Sequence, residues 1–453
     1  MEPVPVSPAN PDQSRMRSLW MGALFGSFVV CVLAAFRAGY IGPDYFSHLM
    51  RCIEWPKIFD FSTTNPPIYF LAGHGLWKIL GDHIRFPITL SIIQIVINTV
   101  ALGWFLLYSE RWFRSSLVHA ALALFLIFLP VRMIHSATLG TDCMTIPAFV
   151  LVSILLDRLL ADKGLTITNA IYLGAALLVA VGFKYTFMAL LPVILAIFIV
   201  LSVKRGWRFQ NLAMVVLISL GAATTFSLAS FWLSHQVHGY NTEKHWRPIT
   251  EGVVRDMNFI DLVSIKSSDA WLFSAPECFK RYVAIPHEHG YLALAHYGIF
   301  TDPMNLFQRM TVPETFGAVL IPDQKDRAPW KTRVMIASML LGVVWTLSAV
   351  IGTLWALRRA VQNLARGRLE PENTNVLLGT AFFLLIFLPI PFVYGAVLFG
   401  YWTPRLILPA LLAFSVAAFL FIEEKFVRGS QTLAFGVLAL VIVQAAFELM
   451  ILA

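Results

Sequence analysis

The chain has 453 residues, 58% of them hydrophobic and 13% charged, with a formal net charge of +8. Soluble domains carry roughly a quarter charged residues, and half that load cannot clothe a water-facing surface, so lipid must be the solvent for much of this chain. Its Lys and Arg fall in short clusters between apolar runs, which reads as membrane topology and not as a phosphate-tracking groove, so no nucleic-acid partner is expected.

Residues 1–16 are polar and Pro-rich. The apolar run 20–35 follows Arg15 and Arg17 and is followed by Arg37 and Tyr40, not by a small-residue cleavage site, so it reads as a retained first span. Runs of this length mark about eleven spans in all: 19–37, 86–108, 117–133, 144–160, 170–182, 187–203, 212–233, 334–357, 376–398, 404–421 and 432–452. The expected fold class is an all-α polytopic membrane protein.

Alternate connections carry Arg111 and Arg114; Arg158 and Lys163; Lys204, Arg205 and Arg208; Arg358, Arg359, Arg366 and Arg368; and Lys425 and Arg428. With eleven spans all of these share one side with Arg15 and Arg17, which the positive-inside rule makes cytoplasmic. A miscount by one span would destroy that agreement. Two long connections then lie on the outer side, at 39–85 and 234–333. They divide the chain into a membrane region (1–233) with a helical first outer loop, an outer cap (234–333) with helices near 269–282, and C-terminal spans (334–453). The four cysteines, Cys31, Cys52, Cys143 and Cys278, show no paired spacing, so neither a zinc motif nor a disulfide framework is expected. Cys52 and Cys278 both fall on the outer side, where a single bridge stays open, with unpaired thiols the expected state.

The chemistry-bearing residues cluster on that outer side. The first outer loop reads Gly42-Pro43-Asp44-Tyr45-Phe46-Ser47-His48, then Asn65-Pro66-Pro67-Ile68-Tyr69. Pro43 suits the first turn of a helix. On that helix Asp44 and His48 sit one turn apart on one face, and Leu49, Ile53 and Trp55 give an apolar side suited to the membrane interface. Asp142 follows the third span, Lys184 lies between the fifth and sixth, and Arg405 lies at the outer end of the tenth. Taken singly each has a structural explanation: a helix cap for Asp142, snorkelling for Lys184, a lipid-phosphate anchor for Arg405. Together, two acids and two cations on one membrane face suit a reaction that deprotonates an acceptor and releases a phosphate.

This ordered set resembles the GT-C superfamily of integral membrane glycosyltransferases, in the branch of protein O-mannosyltransferases and aminoarabinose transferases. The family shows an acid shortly after the first span, matched by Asp44. Its His-Pro-Pro-Leu-Tyr-like element is matched by residues 65–69, and its Gly before the second span by Leu80-Gly81. Its Thr/Ser-Asp element is matched by Thr141-Asp142, its Gly-x-x-x-Lys-like element by Val181-Gly182-Phe183-Lys184, and its late Arg-Tyr-Leu-Leu-Pro-like element by residues 405–409. Two positions depart: Tyr45 stands where the family often has Glu, and Asn65 where it often has His. The resemblance does not extend to residues 234–333.

The resemblance implies a polyprenyl-phosphate sugar as donor and an acceptor hydroxyl on a glycan, lipid or protein. It implies Asp44 as general base with His48 beside it, Lys184 and Arg405 on the donor phosphate, and Asp142, Asn65 and Tyr69 positioning donor or acceptor. Dependence on a divalent metal is left open. His287-Glu288-His289 lacks the helical i, i+4 spacing of zinc ligands and reads as a solvated loop. Two other functions share the topology: a flippase or transporter of lipid-linked sugars, and a polysaccharide ligase or polymerase using a diphosphate-linked glycan. The first would favour paired broken helices in repeated halves, and no repeat is present. The second would place its key groups in residues 234–333. Neither outer loop carries an Asn-x-Ser/Thr sequon and no retention signal ends the sequence, so a bacterial inner membrane with a periplasmic site is the expected setting.

Overall fold

A computed structural model describes residues 11–38, 45–55, 66–137, 139–161, 165–238, 291–301, 329–389 and 399–452. Among these the secondary structure is helical throughout, with no strand. In chain order the helices are α1 (Pro11–Ala38), α2 (Tyr45–Ile53), α3 (Pro67–Leu80), α4 (Arg85–Ser109), α5 (Ser116–Phe128), α6 (Pro130–Ala137), α7 (Thr145–Ala161) and α8 (Ile167–Phe183). They continue as α9 (Leu190–Arg205), α10 (Phe209–His238), α11 (Tyr291–Phe300), α12 (Pro329–Ala365), α13 (Pro371–Phe382), α14 (Phe399–Ile422) and α15 (Gln431–Leu452).

Eight of these helices are long and apolar enough to cross a membrane, and a ninth span is formed if the bent pair α5 and α6 is counted as one. Large apolar side chains stand exposed along them, among them Phe25, Leu33, Val100, Val203 and Leu217. Exposed apolar surface on this scale needs lipid around it. The chain is therefore an integral, multi-pass, all-α membrane protein.

The expected count of eleven differs from this at three places, each with a physical cause. The span at 117–133 is broken by Pro130, which lacks an N–H and starts a new helix bent by 49°. The buried Arg132 closes the break by donating from Nη2 to the Ile127 carbonyl and to Ser27 on α1. The span at 170–182 is α8, whose 17 residues reach about 25 Å, short of a bilayer core of about 30 Å. The span at 376–398 is described only up to residue 389, where α13 runs on into a π-turn at Phe383–Phe387. Residues 269–282, where helices were expected, Cys278 and His287 to His289 lie outside the described residues.

The basic connections do gather at one end of the bundle, because their side chains touch. Arg17 pairs with Glu110 at 2.7 Å, Arg359 with Glu424 at 2.6 Å, and Glu423 accepts the backbone N–H groups of Arg114 and Ser115. Arg205 donates to the carbonyls of Gly367 and Leu160, each at 2.8 Å. The aromatic centre of the bundle is Trp345 stacked on Phe419 at 5.4 Å with Phe125 against both. Helix α11 packs on α14, α12 and α6. A buried polar chain ties it in place: Glu448 accepts from Gln444, Gln444 donates to Ser338, and Ser338 donates to the Phe300 carbonyl.

Candidate functional site

The end opposite the basic connections gathers α2, α3, the start of α4, the link from α6 to α7, and the link from α8 to α9. Its centre is the turn at Thr141–Met144, a short 3-10 segment with every side chain buried. Gly140 makes the turn possible. Its φ is +156°, and a Cβ there would meet His48 Nδ1 at 2.6 Å. Thr145 Oγ1 donates to the Asp142 carbonyl at 2.8 Å, and Asn98 Nδ2 donates to the Cys143 carbonyl at 2.7 Å. The turn thus holds Asp142 at a fixed point, 6% exposed.

Lys184 meets it there. It ends α8 in an extended conformation, φ −156° and ψ +121°, and its ammonium forms an ion pair with Asp142 Oδ1. Both side chains are buried, at 8% and 9% exposure. A charge pair taken out of water on both sides costs several kcal/mol per ion before its attraction offsets that cost, so such a pair is not a casual surface contact. The approach of α8 is set two residues earlier. A Cβ at Gly182 would overlap the Ile68 side chain at the start of α3, so the glycine lets the two elements touch.

His48 and Tyr69 complete the cluster. His48 is 4% exposed; its Nδ1 lies 3.4 Å from the Leu139 carbonyl, and its ring packs edge-on to Tyr69 and Phe70. The Tyr69 hydroxyl accepts from Gln94 Nε2 at 2.5 Å and meets the Gly140 backbone. Burial raises the Tyr69 phenol well above its ordinary range, so it stays a neutral hydroxyl at physiological pH. The apolar side of α2 is used against protein: Leu49, Ile53 and Trp55 pack on the cluster containing Tyr69, Phe70 and Phe86. His74 Nδ1 is 2.9 Å from the Cys52 carbonyl and fixes the end of α2. Burial pushes the Cys52 thiol up to about 12, and Cys31, Cys52 and Cys143 are all free thiols.

Four of the residues expected from the sequence, His48, Tyr69, Asp142 and Lys184, are therefore brought together from four separate segments. Asp44 and Asn65 lie outside the described residues. Arg405 lies on α14, which packs against α6 and α7. Among the described residues no three His, Cys, Asp or Glu side chains group to hold a metal. The sequence reading passed over Gln94 and Asn98, which the fold brings to the back of this site. Two amides one turn apart inside an apolar run were the available signal.

Among solved structures, the chain is similar to ArnT from Cupriavidus metallidurans bound to undecaprenyl phosphate. The identity is 15%, covering 88% of this chain and 76% of that one, with a TM-score of 0.37. No family profile and no curated protein matches. The site is accordingly argued from its own geometry.

Proposed function

We propose that the chain is a glycosyltransferase that moves a sugar from a polyprenyl-phosphate donor to an acceptor hydroxyl on the outer face of the membrane. The observation that carries this reading is the buried Asp142–Lys184 pair, set beside His48 and Tyr69 at the end away from the basic connections. An ammonium has three N–H donors, so Lys184 can hold Asp142 and a phosphate oxygen together. Asp142 fixes the direction of that ammonium before the donor arrives, and such preorganisation makes a cation effective against charge developing on a leaving group.

The reaction is a single displacement. Asp44 takes the acceptor O–H proton as that oxygen forms its bond to the anomeric carbon. The bond from that carbon to the phosphate oxygen breaks, and polyprenyl phosphate leaves with the bonding pair, its charge met by Lys184 and Arg405. The anomeric configuration inverts and no enzyme nucleophile is needed. His48 orients Asp44 or the acceptor, and Asn65 and Tyr69 shape the pocket. The acceptor is a glycan, lipid or protein hydroxyl, and the setting is a bacterial inner membrane with the site facing the periplasm.

Two measurements test it. Asp44→Asn is expected to retain donor binding and lose transfer of labelled sugar; wild-type turnover in that variant would exclude Asp44 as the base. Lys184→Ala with Arg405→Ala is expected to lose the co-purifying polyprenyl-phosphate sugar. A diphosphate-linked glycan in its place, indifferent to both substitutions, would move the assignment to a ligase.

A further inference from the structure

Helix α4 is a membrane span, yet one of its faces is polar. Ser91, Gln94 and Asn98 stand at i, i+3 and i+7, and all are buried, at 2%, 0% and 2% exposure. Amides in a span are costly unless neighbours take their bonds, and here both amide nitrogens donate to the two walls of the site. Asn98 Nδ2 reaches the Cys143 carbonyl at 2.7 Å, one residue beyond Asp142, and also the Gln94 carbonyl at 3.0 Å. Gln94 Nε2 reaches the Tyr69 hydroxyl at 2.5 Å. The residue before Tyr69 is Ile68, which packs on Gly182 just ahead of Lys184.

We infer that Asn98 is the positioning residue of the donor site, holding the Asp142 turn on one side, while Gln94, one turn before it, holds Tyr69 at the start of α3, against which Lys184's helix end rests, on the other. This rests on the reading of Asp142 and Lys184 as the phosphate-binding pair. Asn98 acts through that pair and touches no substrate. Losing its bond removes an anchor of the turn that carries Asp142, and the carboxylate is then held less firmly in place. The ammonium then loses its fixed direction. Interhelical glue alone would give a different result: its loss would loosen α4 from α7 without altering what Lys184 binds.

The test uses the full chain in nanodiscs with undecaprenyl phosphate as probe, its binding read by native mass spectrometry and its folding by thermal unfolding. Asn98→Ala, which removes the bonds to the Cys143 and Gln94 carbonyls, is expected to weaken probe binding about tenfold, and Asn98→Ser, a smaller change to packing, by a similar factor. In the Asp142→Asn background, which keeps the Lys184 cation, Asn98→Ala is expected to have no further effect on binding, because residues acting as one unit are not additive. Unchanged binding with a lowered unfolding midpoint in either Asn98 variant would overturn the inference, as would additive losses in the Asp142→Asn background. If the wild-type chain fails to bind the probe, the phosphate-site reading falls and this inference falls with it, an outcome distinct from wild-type binding that ignores Asn98.

Discussion

The two ends of the bundle use charge in opposite ways. At the basic end the ion pairs have at least one partner open to water: Arg17–Glu110 at 40% and 8% exposure, Arg111–Asp157 at 54% and 8%, Arg359–Glu424 at 42% and 43%. These pairs join connections to one another at one end of the bundle. Opened to water, each contributes little. At the other end the Asp142–Lys184 pair is closed on both sides and rests on a glycine turn, two amides and a tyrosine. Where charge serves topology it is spread and screened. Where it is concentrated and desolvated, the surrounding chain is built to hold it.

That contrast can be broken by mutation, most sharply at Lys184. Removing one partner of a buried pair leaves an uncompensated charge, so Lys184→Ala alone is expected to destabilise by about 3–5 kcal/mol. The neutral double variant Asp142→Asn/Lys184→Gln should recover most of that loss in denaturant unfolding in mild detergent. If the single variant is as stable as wild type, the pair is not closed from water.

Gly140→Ala comes next. Its Cβ would press on the His48 ring, an overpacking that costs about 1–3 kcal/mol, and it should lower the unfolding midpoint more than alanine at Gly429, where a Cβ meets nothing within 4 Å. Both positions have a positive φ, +156° and +85°, so backbone strain enters both losses and the contact with His48 only the first. Equal effects at the two positions would remove His48 as the reason for the glycine.

The basic end offers a pH test. Glu372, at the mouth of α13 ahead of the span, is pushed up to about 7 by burial, with the neighbouring Glu370 adding to it. A carboxyl raised in the folded state binds more protons there than in the unfolded chain, so stability should fall as pH rises from the ordinary Glu range to about 7 and then level off. Glu372→Gln should flatten that slope; an unchanged slope would assign it to another group. The smallest effect is expected for Arg359→Ala, within about 1 kcal/mol of wild type. A larger loss would mean that the exposed pairs hold the bundle together and that the contrast between the ends is wrong.

Much of the fold was legible in the sequence because lipid imposes a simple rule: apolar runs of sufficient length report spans, and the basic clusters between them gather at one end of the bundle. The broken third span was hidden for a related reason. Pro130 and Arg132 sit in a run whose average hydropathy still reads as continuous, and only packing shows Arg132 closing the break. Of the site, the residue types were legible, and His48, Tyr69, Asp142 and Lys184 do meet. That Asp142 and Lys184 are each other's partners was not, because sequence order does not encode which loop end touches which. Gln94 and Asn98 were missed because two amides barely alter a long apolar run, although their spacing on one face was there to be read. Helix α11 was assigned to an outer cap, while His296 on it is bonded to Thr346 and the Met339 carbonyl inside the bundle; its one-helix length gave no span signal.

The most direct test is mass spectrometry of the lipids that co-purify in mild detergent with the wild-type chain and with the folded, charge-neutral Asp142→Asn/Lys184→Gln variant. A polyprenyl-phosphate sugar carried by the wild type and lost from the variant is the expected result. The same lipids on both, or a diphosphate-linked glycan alone, would contradict the assignment of the buried pair to the donor phosphate.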